Sequence, residues 1–268
     1  MSLDIDVKCG PVWDPVQYGR YADERGRPFH ELLARVAARR PARVVALGCG
    51  DGSLTATLLD RWPEATVLGV DSSESMLADA AARAAPRLSF VLGTIEEWRP
   101  AWPVDVLVSN AALHWVPNHA SQLRRLASSL APGGWLAVQV PGNADAPSHA
   151  LLTELRRSPR WRDRLGAGAG RWPDTLDPAD YVDLLARGGC TVDAWETTYA
   201  HVLSGPDPVL DWVRGTAFRP VLAALSQAEA ADFEAEYGAA LRSAYPAAPY
   251  GTVVPFRRVF VVARAGRR

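Results

Sequence analysis

Five short apolar runs, separated by helix-compatible stretches, occupy residues 42–141, and this rhythm restricts the fold more than any other feature of the chain. The runs are ARVVAL (42–47), ATVLGVD (65–71), LSFVL (88–92), VDVLVSN (104–110) and WLAVQVP (135–141). None alternates cleanly between apolar and polar residues, so each reads as a strand buried on both faces. Residues 53–61, 73–85 and 119–130 read as helices. Pro63 lies just beyond the first, Ser72 or Ser73 caps the second, and Pro132-Gly133-Gly134 stops the third. Strands alternating with helices at this spacing imply βαβ units and a mostly parallel sheet covered on both faces.

The flanks are less regular. Residues 1–20 are rich in turn formers, and 28–40 reads as an amphipathic helix with Pro28 in its first turn. After Pro141 the rhythm breaks. Residues 142–177 read as a loop or lid-like insertion with one short helix near 148–157, the alternative being a plain surface insertion. Then 178–189 reads as a helix ending at a glycine pair, and 191–203 as a strand. Residues 208–216 and 220–244 are expected to be helical within a cap spanning 206–250, and 255–265 forms the last strand. The whole of 1–268 reads as one domain, with 1–40 covering its ligand site.

Composition narrows the partners. With 268 residues, 48% of them hydrophobic, the chain can bury a sizeable core, and a net charge of −1 offers no global basic field for nucleic acid. Lys8 is the only lysine, so the positive charge is nearly all arginine, the side chain that binds carboxylates bidentately; a coding bias is the alternative. Cys9, Cys49 and Cys190 are odd in number and form no CxxC, which argues against a disulfide framework or a metal site. MSLDIDVKCG carries no apolar core of a leader, and no run approaches the ~18 apolar residues of a membrane span. A soluble, cytoplasmic protein acting on small molecules, not on nucleic acid or membrane, is the expectation.

The loop after the first strand is Gly48-Cys49-Gly50-Asp51-Gly52. Open α/β sheets bind ligands outside the carboxyl ends of their strands. The dinucleotide fingerprint G-x-G-x-x-G is missed by one residue, and no Lys-Ser/Thr follows to make a phosphate-cradling loop. G-x-G-x-G resembles motif I of class I S-adenosylmethionine-dependent methyltransferases. Asp71 supports this: it stands 19 residues after Gly52, directly after a strand, where an acid accepts hydrogen bonds from ribose hydroxyls. The alternative for Asp71 is a helix-capping carboxylate. The resemblance implies a doubly wound Rossmann-like sheet with an antiparallel final strand, S-adenosyl-L-methionine as cofactor and S-adenosyl-L-homocysteine as product. It implies cofactor contacts from Gly48, Cys49, Gly50, Gly52, Asp71, Ser72 and Met76, from Thr94 and Ile95 beside the adenine, and from Asn110, Ala111 and Trp115 near the sulfonium. For Trp115, core packing is an equal alternative.

More of the chain resembles the trans-aconitate 2-methyltransferase family. The matching segments include WDPVQYGRYADERGRPFHELLARV (13–36), GVDSSESML (69–77), DVLVSNAALHWVPNH (105–119), LAVQVPGNADAPSHALL (136–152), DWVRGTAFRPVL (211–222) and RVFVVAR (258–264). The resemblance implies a polycarboxylate acceptor, methylated on one carboxylate to a monomethyl ester. A carboxylate with a pKa near about 4 is already ionised at neutral pH, so no general base and no catalytic side chain is expected; positioning and electrostatics do the work. Candidate acceptor contacts are Arg25, Arg27, Arg219 and Arg258, with Tyr18, Tyr21, His114, His149 and Tyr199; Arg25 is alternatively a partner of the cofactor carboxylate. Two positions depart from the family pattern: Ala46 and Thr94 stand where it has acids. The alternatives are a methyltransferase for another small molecule, and a non-catalytic binding protein with a weakened cofactor site. A monomer is the expected state.

Overall fold

The computed structural model describes residues 22–165, 175–215 and 218–266, without the side chains of 22–25 and 219. The strands are β1 (Arg43–Leu47), β2 (Thr66–Asp71), β3 (Leu88–Leu92), β4 (Val104–Asn110), β5 (Leu130–Pro141), β6 (Cys190–Leu203) and β7 (Thr252–Ala265). They form one sheet in the order β3-β2-β1-β4-β5-β7-β6. β1 to β5 are mutually parallel, and β7 is inserted antiparallel to both β5 and β6. This is the doubly wound Rossmann-like arrangement expected from the sequence, with β7 as its antiparallel final strand.

Both faces are covered, which explains the missing alternation. On one face Val44, Val106, Val108, Ala137, Phe260 and Val262 pack with Phe29, Leu32 and Leu33 of α1 (Ala22–Ala34) and Leu58 of α2 (Ser53–Arg61). On the other, Val45, Leu107, Val138 and Val261 pack with Leu123 and Leu126 of α4 (His119–Ser128) and Tyr181 and Leu185 of α7 (Pro178–Ala186). α3 (Glu74–Ala81) follows β2, with Ser73 as its N-cap accepting from the Met76 amide.

β6 and β7 pair along 14 residues, but β5 reaches only Arg258–Arg264 of β7. The rest of the ribbon projects beyond the sheet and carries a helical cap. Leu203 and Val254 of the ribbon pack with α5 (Pro147–Arg157), α6 (Arg162–Leu165), α8 (Pro208–Arg214), α9 (Arg219–Ala223) and α10 (Gln227–Ala244) around Phe218, Phe233 and Tyr237. Pro255 sits in this projecting half, where β7 has β6 as its strand neighbour and Pro costs no ladder bond on the other side.

Several expected boundaries move. The first helix runs over 22–34 rather than 28–40, with Pro28 inside it. Its end is set by tertiary bonds: the carbonyls of Val36 and Ala38 accept from Arg61 Nη2 and Trp62 Nε1. The helix expected to reach residue 85 ends at Ala81; turns follow it, and Ala85, kept extended by Pro86, pairs with Leu88 instead. Pro132-Gly133-Gly134 does not precede β5 but lies within it: Val104 pairs with Leu130 and Val106 with Trp135, so the intervening residues bulge. Residues 142–177 are less loop-like than expected, since their described part holds two helices of the cap. The single helix expected over 220–244 is two, divided at Ser226, whose capping box with Glu229 starts α10.

Candidate functional site

Strand order reverses between β1 and β4, and the crevice at their carboxyl ends is where this fold seats a ligand. The glycine loop enters it. Gly48, Gly50 and Gly52 all have positive φ, at 73°, 56° and 75°. A Cβ on Gly48 would collide with that of Ala112 in the loop after β4, and one on Gly52 would lie 2.6 Å from the Phe90 ring. Gly50 differs: a Cβ there would meet nothing within 4 Å. The loop is thus closed against protein on two sides and open at its middle glycine.

Asp71 ties this loop to the second strand. Its Oδ2 accepts from the Gly50 amide at 2.8 Å, and its Oδ1 from the Ser73 amide at 2.9 Å. The carboxylate therefore turns the chain into α3, although the N-cap itself is Ser73. A carboxylate offers about four lone-pair sites, so two such bonds leave acceptor capacity on both oxygens. Cys49 is half-buried, and burial, then the Asp71 charge, push its thiol up to about 12. Its contribution is the backbone and an inert side chain.

The remaining cofactor candidates lie at or just beyond the carboxyl ends of β2, β3 and β4. Gly93 N donates to Asp71 O at 2.9 Å, placing Thr94 and Ile95 beside β2. Thr94 Oγ1 accepts from the Glu97 amide and donates to its carboxylate, both at 3.2 Å, so it caps its own turn. Ile95 is buried, and its carbonyl is held by Arg125 Nη2 at 2.6 Å. Asn110 ends β4 with a buried Oδ1 that no hydrogen bond satisfies. Ala111 has φ 53°, a left-handed turn held by its amide on the Gln139 carbonyl at 2.9 Å. Trp115 is half-exposed rather than core, Met76 is buried on α3, and Ser72 is exposed. Ala46 is buried under α1 in the apolar cluster with Phe29 and Leu32. An open glycine, an acid with spare lone pairs and an unsatisfied amide oxygen fit the donor and acceptor groups of S-adenosylmethionine.

Beyond Asn110 the α1-side face becomes polar along β5, β7 and β6. Arg258 is only 5% exposed; its guanidinium lies 4.5 Å over the Phe256 ring, and Nη1 approaches Gln139 Oε1 at 3.5 Å. His114, in the 3-10 turn Leu113–Trp115, is buried; burial, then the charges of Arg258 and His119, hold it down to about 3, a neutral imidazole at physiological pH. His149 on α5 is likewise held down to about 4 by burial, with Nδ1 on Ser148 Oγ. Tyr199 is buried and donates its phenol proton to Glu31 Oε2 at 2.6 Å, so that proton is already committed. Arg27 lies over the Tyr199 ring and pairs with Glu31 at 2.8 Å on an exposed face. Arg219 starts α9 and Arg25 lies on α1, their side chains outside the described residues; Tyr18 and Tyr21 lie wholly outside them.

Sequence reasoning passes over Glu31 and Gln139. Gln139 has a visible signal: it is the one strongly polar residue in the run WLAVQVP. Among the described residues no helix is long and apolar enough to cross a membrane, and no group of three metal-ligating side chains forms.

Comparison with known proteins bears on this geometry. A family model described as "Methyltransferase domain" matches residues 44–134, the segment from β1 into β5. The chain is 54% identical over 261 residues to a trans-aconitate 2-methyltransferase of Streptomyces avermitilis, covering 94% of this chain and 97% of that one. It is 53% identical to a trans-aconitate 2-methyltransferase of Streptomyces coelicolor, covering 95% and 87%. Among solved structures, the YcgJ protein of Bacillus subtilis superposes with a TM-score of 0.60 at 14% identity, over 90% of this chain and 99% of that chain. At that identity the likeness speaks for the fold alone.

Proposed function

Because the chain belongs to the trans-aconitate 2-methyltransferase family and is an S-adenosylmethionine-dependent methyltransferase, we propose that it methylates one carboxylate of trans-aconitate or a close relative, giving a monomethyl ester. When bound, the cofactor supplies an electrophilic methyl on sulfur, which a carboxylate oxygen of the acceptor takes as the C–S bond breaks, leaving S-adenosylhomocysteine. The glycine loop, Asp71 and Asn110 are the residues that would hold it.

The observation that supports the acceptor class is Arg258. It is a buried cation near the carboxyl end of the crevice, on the face that also carries Asn110 and Gln139. A guanidinium held there by the Phe256 ring and Gln139 is preorganised for an anion, and recognition of a carboxylate by Arg is planar and directional. Because the nucleophile is ionised at neutral pH, the protein has no proton to remove. Its work is to orient, to exclude water and to keep one oxygen available. The neutral His114 fits this role, as it adds no charge of its own beside Arg258. Arg25, Arg219, Tyr18 and Tyr21 complete the proposed acceptor set on the family resemblance alone.

Titration with S-adenosylhomocysteine, with and without trans-aconitate, followed by turnover on a panel of di- and tricarboxylates, tests the reading. The expected result is micromolar binding, and an alkali-labile methyl ester formed from trans-aconitate faster than from the other acids. Methyl transfer to an uncharged acceptor, with none to any carboxylate, would sink it.

A further inference from the structure

Gln139 is fully buried at the centre of the sheet, on β5 between Asn110 of β4 and Phe260 of β7. An uncharged amide in such a place is ordinarily satisfied at both ends, since a buried unpaired polar group is costly. Here it is satisfied at one. Arg258 can only donate, so the oxygen of Gln139 must face it, and this fixes which way the amide points. The Nε2 end, with two hydrogens, is left without an acceptor. Beside it, Asn110 Oδ1 is also unsatisfied. The Gln139 carbonyl meanwhile holds the left-handed turn at Ala111, so one residue braces the loop on the cofactor side and touches the arginine on the acceptor side.

We infer that Gln139 is a direct acceptor contact, its side-chain N–H group donating to a carboxylate of the acceptor seated beside Arg258. This rests on the carboxylate-methyltransferase reading above. The pairing has a chemical logic. A neutral amide orients a carboxylate without neutralising it, whereas a second guanidinium would occupy the lone pairs that must react. Gln139 and Arg258 together make a donor pair of mixed charge, held rigid because both are buried and sit on adjacent strands.

The test uses the full chain and its Gln139→Met variant, matched in size and lacking both polar atoms. Binding of S-adenosylhomocysteine is titrated first, then binding of trans-aconitate, itaconate, mesaconate and glutaconate to that complex. Each of the last three lacks a different carboxylate of trans-aconitate. The expected result is S-adenosylhomocysteine affinity within twofold of the parent, and trans-aconitate affinity reduced roughly 10- to 100-fold, as for a lost hydrogen bond to a charged group. For one of the three dicarboxylates the loss should vanish, identifying the carboxylate that Gln139 touches. An equal loss for all three means that Gln139 acts only by holding Arg258, and overturns the inference. So does unchanged binding of trans-aconitate. A parent protein that binds none of these acids overturns the functional reading itself, and the inference with it. Should Gln139→Met fail to fold by circular dichroism, Gln139→Leu is carried through the same series. If neither variant folds, Gln139 is a residue of the core and the inference falls.

Discussion

Gly48 and Gly50 share a left-handed backbone but are limited by different things. At Gly48 the space is filled by Ala112, so Gly48→Ala carries both a left-handed residue and an overpacked contact. It should lower stability by roughly 2–5 kcal/mol in thermal or denaturant unfolding. At Gly50 the space is open, so Gly50→Ala bears only the backbone term, about 1–2 kcal/mol. Its methyl group then lies where the cofactor is expected, and S-adenosylhomocysteine affinity should fall tenfold or more. Retained affinity in Gly50→Ala would mean that the cofactor sits elsewhere. Asp71→Ala removes the acceptor of two backbone amides, and should weaken the same binding at least tenfold while the circular dichroism spectrum stays native. The Thr94 hydroxyl donates to Glu97 and accepts from its amide, so it caps its own turn and keeps one lone pair.

At the scale of elements, the cap depends on junctions more than on propensity. α10 begins because Ser226 and Glu229 satisfy each other's backbone amides, on a stretch whose composition alone reads as one uninterrupted helix from 220. Ser226→Ala should cost about 0.5–2 kcal/mol, read as a lower melting temperature with S-adenosylhomocysteine affinity unchanged. At the exit of β5, Asn143 Oδ1 and Nδ2 bond the backbone amide and carbonyl of Arg257, and the Arg257 side chain reaches Asp177 and Glu196. The start of the 142–177 insertion and its end are thereby fastened to the same residue of β7. Asn143→Ala strips both backbone bonds and should destabilise by about 1–3 kcal/mol. These junctions are not legible locally, since Asn143 and Arg257 lie 114 positions apart and nothing beside either one signals the other.

For the molecule as a whole, two buried histidines set its response to acid. Burial holds both His114 and His149 well below the ordinary imidazole value of 6.5, at about 3 and about 4. Between those values and 6.5 the unfolded chain binds protons that the folded one excludes. Stability is therefore fully present above about pH 6.5 and is lost as pH falls, by up to about 1.4 kcal/mol per pH unit for each histidine. Denaturant unfolding from pH 7 to 4.5 should show this decline, and His149→Gln should flatten part of it. A slope unchanged by that substitution would place the acid sensitivity elsewhere. The same burial keeps His114 uncharged beside Arg258, so the acid limb of stability and the charge state around Arg258 have one origin.

The sheet, the loop and its acid partner were legible because each is a local signal. Apolar runs of strand length report burial on both faces, three glycines at two-residue spacing report a turn closed to side chains, and an acid at the carboxyl end of β2 reports a ligand or a cap, here a turn as well. What the sequence could not reveal is which distant side chains meet. In the sequence Arg258 is one of several candidate arginines, yet its neighbour Gln139 lies 119 positions earlier, and Tyr199 finds Glu31 across 168. Those meetings follow from β7 inserting between β5 and β6 and from α1 lying across them. Strand order is set by the packing of whole layers, whereas periodicity records only whether a residue is buried, not what it is buried against.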